Sequence, residues 1–243
     1  DLACADEVET IIRTATSGKP AAFIAESIQG NAGIIVPPEG YFQRVKEIIS
    51  AYGGLFIADE VQTGFARTGR MFAIEHAGIV PDIMCVAKAL GNGQPISAFI
   101  ASAKVADSYT KPGASTLGGN PVSSTAGLAV LNYIEEHRLA ENAEARGREL
   151  RKGLAEIQKR HPIIGDIRGL GLMTGAEFVH SDKSPAPEEL DMVLEELKDR
   201  GFIVGKNGVA RNVMAFQPPL IITDENINDV LDALEQVLVK FKL

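Results

Sequence analysis

The sequence predicts an α/β protein with a mostly parallel sheet, followed by a smaller α+β unit. Three observations carry this expectation. Four short apolar runs lie before residue 102, separated by segments of helical periodicity. These runs are continuously apolar rather than alternating, as strands covered on both faces should be. Beyond His161-Pro162, short strand signals alternate with two amphipathic helices. Strand, helix and strand in that order imply right-handed crossovers between parallel strands.

The elements follow in order. Residues 5–16 carry Val8, Ile11 and Ile12 at helical spacing, and Gly18-Lys19-Pro20 ends that helix. Strand 21–25 runs to Glu26, and Gln29 to Gly33 with Pro37-Pro38 reads as a loop. A helix over 41–52 turns Val45, Ile48 and Ile49 inward and stops at Gly53-Gly54. Strand 55–58, a Gly-punctuated loop, a helix over 70–78, strand 83–87 and strand 96–101 complete the first part. Asn120 and Pro121 suit a helix N-cap and first turn, so one long helix is expected from there to about residue 160. Strands are then expected at 164–168, 171–178, 202–204 and 213–216. One late helix holds Leu190, Val193, Leu194 and Leu197; another runs from a Thr223 or Asp224 cap through Ile227, Leu234 and Phe241.

Composition narrows the function. The chain has 243 residues, 45% hydrophobic and 23% charged, enough for one large or two modest domains. A net charge of −8 without blocks of like charge argues against nucleic acid. No apolar run reaches membrane-span length and no signal peptide opens the chain, so no membrane partner is expected. Cys4 and Cys85 make no disulfide framework, which points to the cytoplasm. His76, His137, His161 and His180 are scattered and form no metal constellation.

The chemistry concentrates at strand ends. Leu55 to Ala58 ends on Asp59, and 29 positions later the run through Val86-Ala87 ends on Lys88. Two neighbouring strands thus deliver a carboxylate and an amine to the edge where open α/β sheets place ligands. A Schiff-base amine and a carboxylate that keeps a ring nitrogen protonated are the minimum equipment of pyridoxal phosphate chemistry. An apolar strand ending in Asp-Glu also suits a P-loop nucleotidase, but no G-x-x-x-x-G-K-[ST] loop occurs. Glu26 ends a third strand at the same edge, where a loop salt bridge is the alternative role. Ser115-Thr116, ahead of a capped helix, suit either a phosphate or plain capping.

An ordered set of segments covers nearly the whole chain: Glu26-Ser27-Ile28-Gln29-Gly30, Pro37-Pro38-Glu39-Gly40-Tyr41, Ile57 through Phe65, Pro81-Asp82-Ile83 through Lys88, Ser115 through Pro121, Gly165 through Gly169, and Pro218-Pro219-Leu220. Together they closely resemble the class III, or ω-, pyridoxal phosphate-dependent aminotransferases, nearest the alanine–glyoxylate aminotransferase and phospholyase branch. The resemblance implies a pyridoxal phosphate-dependent transferase of fold type I. Residues 1–140 would be the later part of the cofactor-binding large domain, and 141–243 the small C-terminal domain. It implies pyridoxal 5'-phosphate as cofactor, with Lys88 forming the Schiff base and shuttling a proton. Asp59 would pair with the pyridine nitrogen, Gln62 with the 3-hydroxyl, and Val61 would pack on the ring. Thr116, beside Ser115, would reach the phosphate in the partner subunit of a homodimer. Glu26 would lie by the substrate.

The implied reaction moves an amino group from an amino acid or ω-amino donor to a 2-oxo acid such as pyruvate or glyoxylate. The alternatives are a phospholyase acting on an amino-alcohol phosphate, or an inactive truncated chain. Family chains extend further at the N-terminus, supplying a phosphate cradle, and this one opens Asp1-Leu2-Ala3. A fragment that folds poorly and holds cofactor weakly is therefore expected. Many relatives also place a carboxylate-clamping arginine three residues before the Pro-Pro pair; here that residue is Ala215, with Arg211 upstream. Cytoplasm is the expected compartment, or the mitochondrial matrix in a eukaryote.

Overall fold

In the computed structural model, which describes residues 2–242, the chain divides into two compact units. One comprises residues up to Ser27 with Pro37–Phe65 and Arg70–His137. The other comprises Ile28–Val36, Ala66–Gly69 and the chain from Arg138 onward.

The first unit contains α1 (Ala3–Ala15), β1 (Ala22–Glu26), α2 (Tyr41–Ala51), β2 (Leu55–Asp59), β3 (Ile83–Val86), β4 (Ala98–Ala101), the single-turn α3 (Ala103–Ala106) and α4 (Pro121–Glu136). The strands form one sheet in the order β1-β2-β3-β4. β1, β2 and β3 run parallel, and β4 pairs antiparallel to β3. α2 presents Phe42, Val45, Ile48 and Ile49 to Phe56 and Ala58 of β2, with Ala5 and Ile12 of α1 in the same core. Each of the larger apolar side chains among these contributes about 1.5–3 kcal/mol on burial. Gly53, at φ 76°, stops α2 in the left-handed conformation that favours glycine. Asn120 accepts the Ser123 N–H at 3.0 Å and Pro121 opens α4, as expected.

Three expectations for this unit are corrected. The segment 70–78 is helical only as a 3-10 turn over Ala73–Ala77, because Gly69 and Gly78 both take positive φ and bracket it tightly. The sheet is not covered on both faces among the described residues: Ile24 is 59%, Phe99 75% and Ile100 52% exposed. Their apolar character therefore does not report burial. The single long helix is two, α4 and then α5 (Leu139–Arg160), broken where Arg138 takes φ 50°.

The second unit is an antiparallel sheet of β5 (Ile164–Leu170), β6 (Met173–Phe178), β7 (Gly205–Asn207) and β8 (Val213–Phe216), in the order β5-β6-β8-β7, with α5, α6 (Pro187–Asp199) and α7 (Asp224–Phe241). Met214 and Phe216 of β8 join Phe178 in the core formed with Leu150, Leu190 and Leu234. Ala215, of opposite parity, joins Met173, Ile28 and Ile34 in a second cluster. The period of two thus assigns alternate residues to opposite faces. The expected strand at 202–204 is instead β7 at 205–207, since the ladder with β8 begins at Gly205 opposite Ala215. Phe202 and Val204 pack against the core without pairing. Thr223 caps α7 reciprocally with Asn226.

Candidate active site

Parallel register builds the site. Glu26 lies opposite Asp59, and Asp59 opposite Cys85, so three strand ends stand side by side on one edge. One residue past β3, Ala87 leaves extended geometry, and Lys88 opens a 3-10 turn, Lys88–Gly91, at φ 43°. A lysine gains nothing intrinsic from that left-handed conformation, so the surrounding chain imposes it. The Lys88 ammonium donates to Gln62 Oε1 at 3.5 Å, and Lys88 is exposed.

Asp59 is half-buried, and its Oδ1 accepts the Val61 N–H at 3.0 Å. One carboxylate oxygen is thereby fixed by the turn that follows. Burial, and then the negative charge of Asp59, push the neighbouring Cys85 thiol up. Cys85 therefore stays a neutral neighbour at physiological pH.

The turn after Asp59 is held by Glu60, which is fully buried. Oε1 accepts the Ser27 hydroxyl and the Ile74 N–H, each at 2.7 Å. Oε2 accepts the Thr63 hydroxyl at 2.5 Å and the Ala73 N–H at 3.0 Å. The Glu60 backbone N–H donates to the Cys85 carbonyl and its carbonyl accepts the Gly64 N–H. A buried carboxylate is stable only when so satisfied. Downstream, the half-buried Arg67 guanidinium donates to the Leu172 and Pro218 carbonyls at 3.1 and 2.6 Å, and desolvation lowers its pKa to about 10.

The structure thus brings Glu26, Asp59, Val61, Gln62 and Lys88 to one edge. It shows no contact of Ser115 or Thr116 with them among the described residues. Both lie on the exposed loop 111–119, where Ser115 Oγ accepts the Gly118 N–H at 3.0 Å. Ala215 is buried at 5% exposure among apolar side chains, while exposed Arg211 donates to the Lys206 carbonyl. Among the described residues no group of three His, Cys, Asp or Glu is arranged to hold a metal ion. Among the described residues no helix is long and apolar enough to cross a membrane. Sequence reasoning missed Glu60 as a separate player, because its four donors come from segments far apart in the chain.

Parallel strands thus deliver a carboxylate, an amide and an amine to one edge of the sheet. The chain belongs to the class III aminotransferase family, whose profile, aminotransferase class-III, matches residues 1–238. The chain is 41% identical over 239 residues to alanine–glyoxylate aminotransferase 2 homolog 2, mitochondrial, of Arabidopsis thaliana, covering 97% of this chain and 50% of that one. It is 46% identical over 221 residues to the leucine/methionine racemase of Thermococcus litoralis, covering 90% and 49%. A phospholyase from Arthrobacter, solved in complex with phosphoethanolamine, superposes with a TM-score of 0.92 at 34% identity, covering 98% of this chain and 57% of that one. The chain spans about half the length of the curated relatives it matches.

Proposed function

We propose that this chain carries the Schiff-base lysine and the ring-binding carboxylate of a pyridoxal phosphate-dependent transaminase. The reaction moves an amino group from an amino acid or ω-amino donor to a 2-oxo acid such as pyruvate or glyoxylate. The observation that carries this reading is the convergence of Asp59, Gln62 and Lys88 at the ends of β2 and β3, with Lys88 Nζ 3.5 Å from Gln62 Oε1. Class III aminotransferases depend on pyridoxal phosphate, and this donor set fits the ring end of that cofactor. A carboxylate suits a protonated ring nitrogen, an amide suits a phenolic oxygen, and a primary amine suits an aldehyde. When bound, the cofactor supplies a carbonyl that condenses with amines and an electron sink that acidifies the adjacent C–H.

The chain's residues do the rest. Asp59 holds the ring-nitrogen proton through a charge-assisted bond, and the Val61 N–H fixes the orientation of that carboxylate. Gln62 would hydrogen-bond the ring's 3-hydroxyl, and Val61 would pack on the ring. Lys88 Nζ moves the proton to and from the substrate carbon. Glu26, in register with Asp59, borders the substrate. Ser115 and Thr116 serve the phosphate of a partner subunit, which makes the working unit a homodimer. Within this reading residues 1–140 belong to the cofactor-binding domain and 141–243 to the small domain. The compartment is the cytoplasm, or the mitochondrial matrix in a eukaryote.

Borohydride reduction of the chain with pyridoxal phosphate, followed by peptide mapping, tests the reading. A single phosphopyridoxyl adduct on Lys88, lost in Lys88→Ala, is expected. Labelling scattered over surface lysines would overturn the assignment. A second reading, a phospholyase acting on an amino-alcohol phosphate, is supported by the likeness to the Arthrobacter phospholyase. In that case phosphate is released from phosphoethanolamine and no amino group reaches pyruvate.

A further inference from the structure

We propose that Glu60 is the positioning residue that sets the Asp59 carboxylate and the Gln62 amide in place; the inference rests on the ring-binding roles just assigned to those two. Glu60 sits between them in sequence but points away from them, into the protein. Its four side-chain acceptor bonds come from three separate segments. Ser27 follows β1, Thr63 lies in the turn, and Ala73 and Ile74 begin the 3-10 turn. Its backbone adds bonds to Cys85 and Gly64. One side chain therefore fastens the ends of β1 and β2 to the 60–64 turn.

That turn presents the Val61 N–H to Asp59 and the Gln62 carbonyl oxygen to Lys88. A Cβ on Gly64 would lie 2.9 Å from the Glu60 carbonyl oxygen, so the turn has no room to relax on that side. Freezing a functional side chain through a buried partner is how supporting residues preorganise a site.

The carboxylate is also the only group of its shape that satisfies all four donors. Each oxygen accepts one hydroxyl and one backbone N–H. A hydroxyl can rotate to accept instead of donate; a backbone N–H cannot. In either flip, the –NH2 of a glutamine at 60 would face the N–H of Ile74 or of Ala73. Glu60→Gln is thus a small change in volume that forces one donor against another.

Hydrogen exchange at the Val61 amide of the full chain tests this without cofactor. The comparison is among wild type, Glu60→Gln, Thr63→Val and the core truncation Val45→Ala, which lowers stability without touching Glu60. Val61 exchange is expected to rise about tenfold in Glu60→Gln, the effect of losing one buried hydrogen bond, and less in Thr63→Val. Val45→Ala should leave it unchanged relative to its neighbours. A second readout is the pH midpoint of the absorbance of bound pyridoxal phosphate, which should move in Glu60→Gln and not in Val45→Ala. Unchanged Val61 protection in folded Glu60→Gln overturns the proposal; if that variant does not fold, unchanged protection in Thr63→Val does so. A wild type that gives no Lys88 adduct would instead remove the functional reading, and the exchange result would still decide the role of Glu60.

Discussion

Asp59 commits one carboxylate oxygen to the Val61 N–H, and in the proposed reading its negative charge, more than its shape, holds the ring nitrogen. Asp59→Asn keeps the volume but presents an amide where a protonated ring nitrogen needs an anion. Losing a charge-assisted bond costs about 1.5–3 kcal/mol, so pyridoxal phosphate should bind roughly tenfold to a hundredfold more weakly. Absorbance titration of the variant against wild type measures this directly. Asp59 and Lys88 were legible in the sequence because each ends an apolar run, and a strand end fixes where a side chain emerges. Glu60 was not. Its role depends on Ser27, Thr63, Ala73 and Ile74 arriving together, and no local pattern announces donors drawn from such separations.

Elements meet most closely where α5 crosses the β5–β6 turn. A Cβ on Gly147 of α5 would overlap the Gly171 carbonyl, and Gly171 itself takes φ 51°. Gly147→Ala gains about 1 kcal/mol of helix propensity but forces backbone apart at a cost of about 3 kcal/mol or more. The net effect should be a lower urea midpoint at unchanged slope. On the opposite side, Arg160 of α5 grips Glu235 of α7 with two bonds, at 2.9 and 2.8 Å. The Arg160 hydrogen bond is the main cause holding the Glu235 carboxyl below its usual range. A depressed carboxylate contributes stability above its unfolded pKa of about 4.3, and that contribution fades as pH falls through the folded value. Arg160→Ala should therefore lower stability slightly at neutral pH, as removal of an exposed and solvent-screened pair does, and leave it unchanged in strong acid. Urea unfolding at both pH values separates the two. Helix and strand existence were legible at this scale; breaks were not. Nothing in Glu136-His137-Arg138 marks a stop, because an arginine in the left-handed region has no sequence signature of its own.

At the scale of the molecule, fold class and family were legible because strand order follows from crossover rules and because ordered motifs span the chain. Burial was read less well. Phe99 and Ile100 on the edge strand β4, with Leu117, Val122 and Leu128 nearby in sequence, leave the first unit with apolar side chains on its surface. An unpaired apolar edge invites association. Sedimentation of this 243-residue chain should show concentration-dependent self-association, reduced by the double substitution Phe99→Ser and Ile100→Ser. Sedimentation as a single monomeric species at every concentration would contradict this.

The one-to-one alignment of Glu26, Asp59 and Cys85 also bears on how such a chain tolerates changes of length. Successive strand residues face opposite sides, so deleting a single residue between Leu55 and Ala58 would either drag Asp59 inward or turn its carboxylate through the sheet. Loop 111–119 is exposed throughout, but in the proposed reading it carries Ser115 and Thr116, so its length is constrained by the phosphate rather than by strand parity. Insertions and deletions, more than substitutions, should therefore be purged from β2.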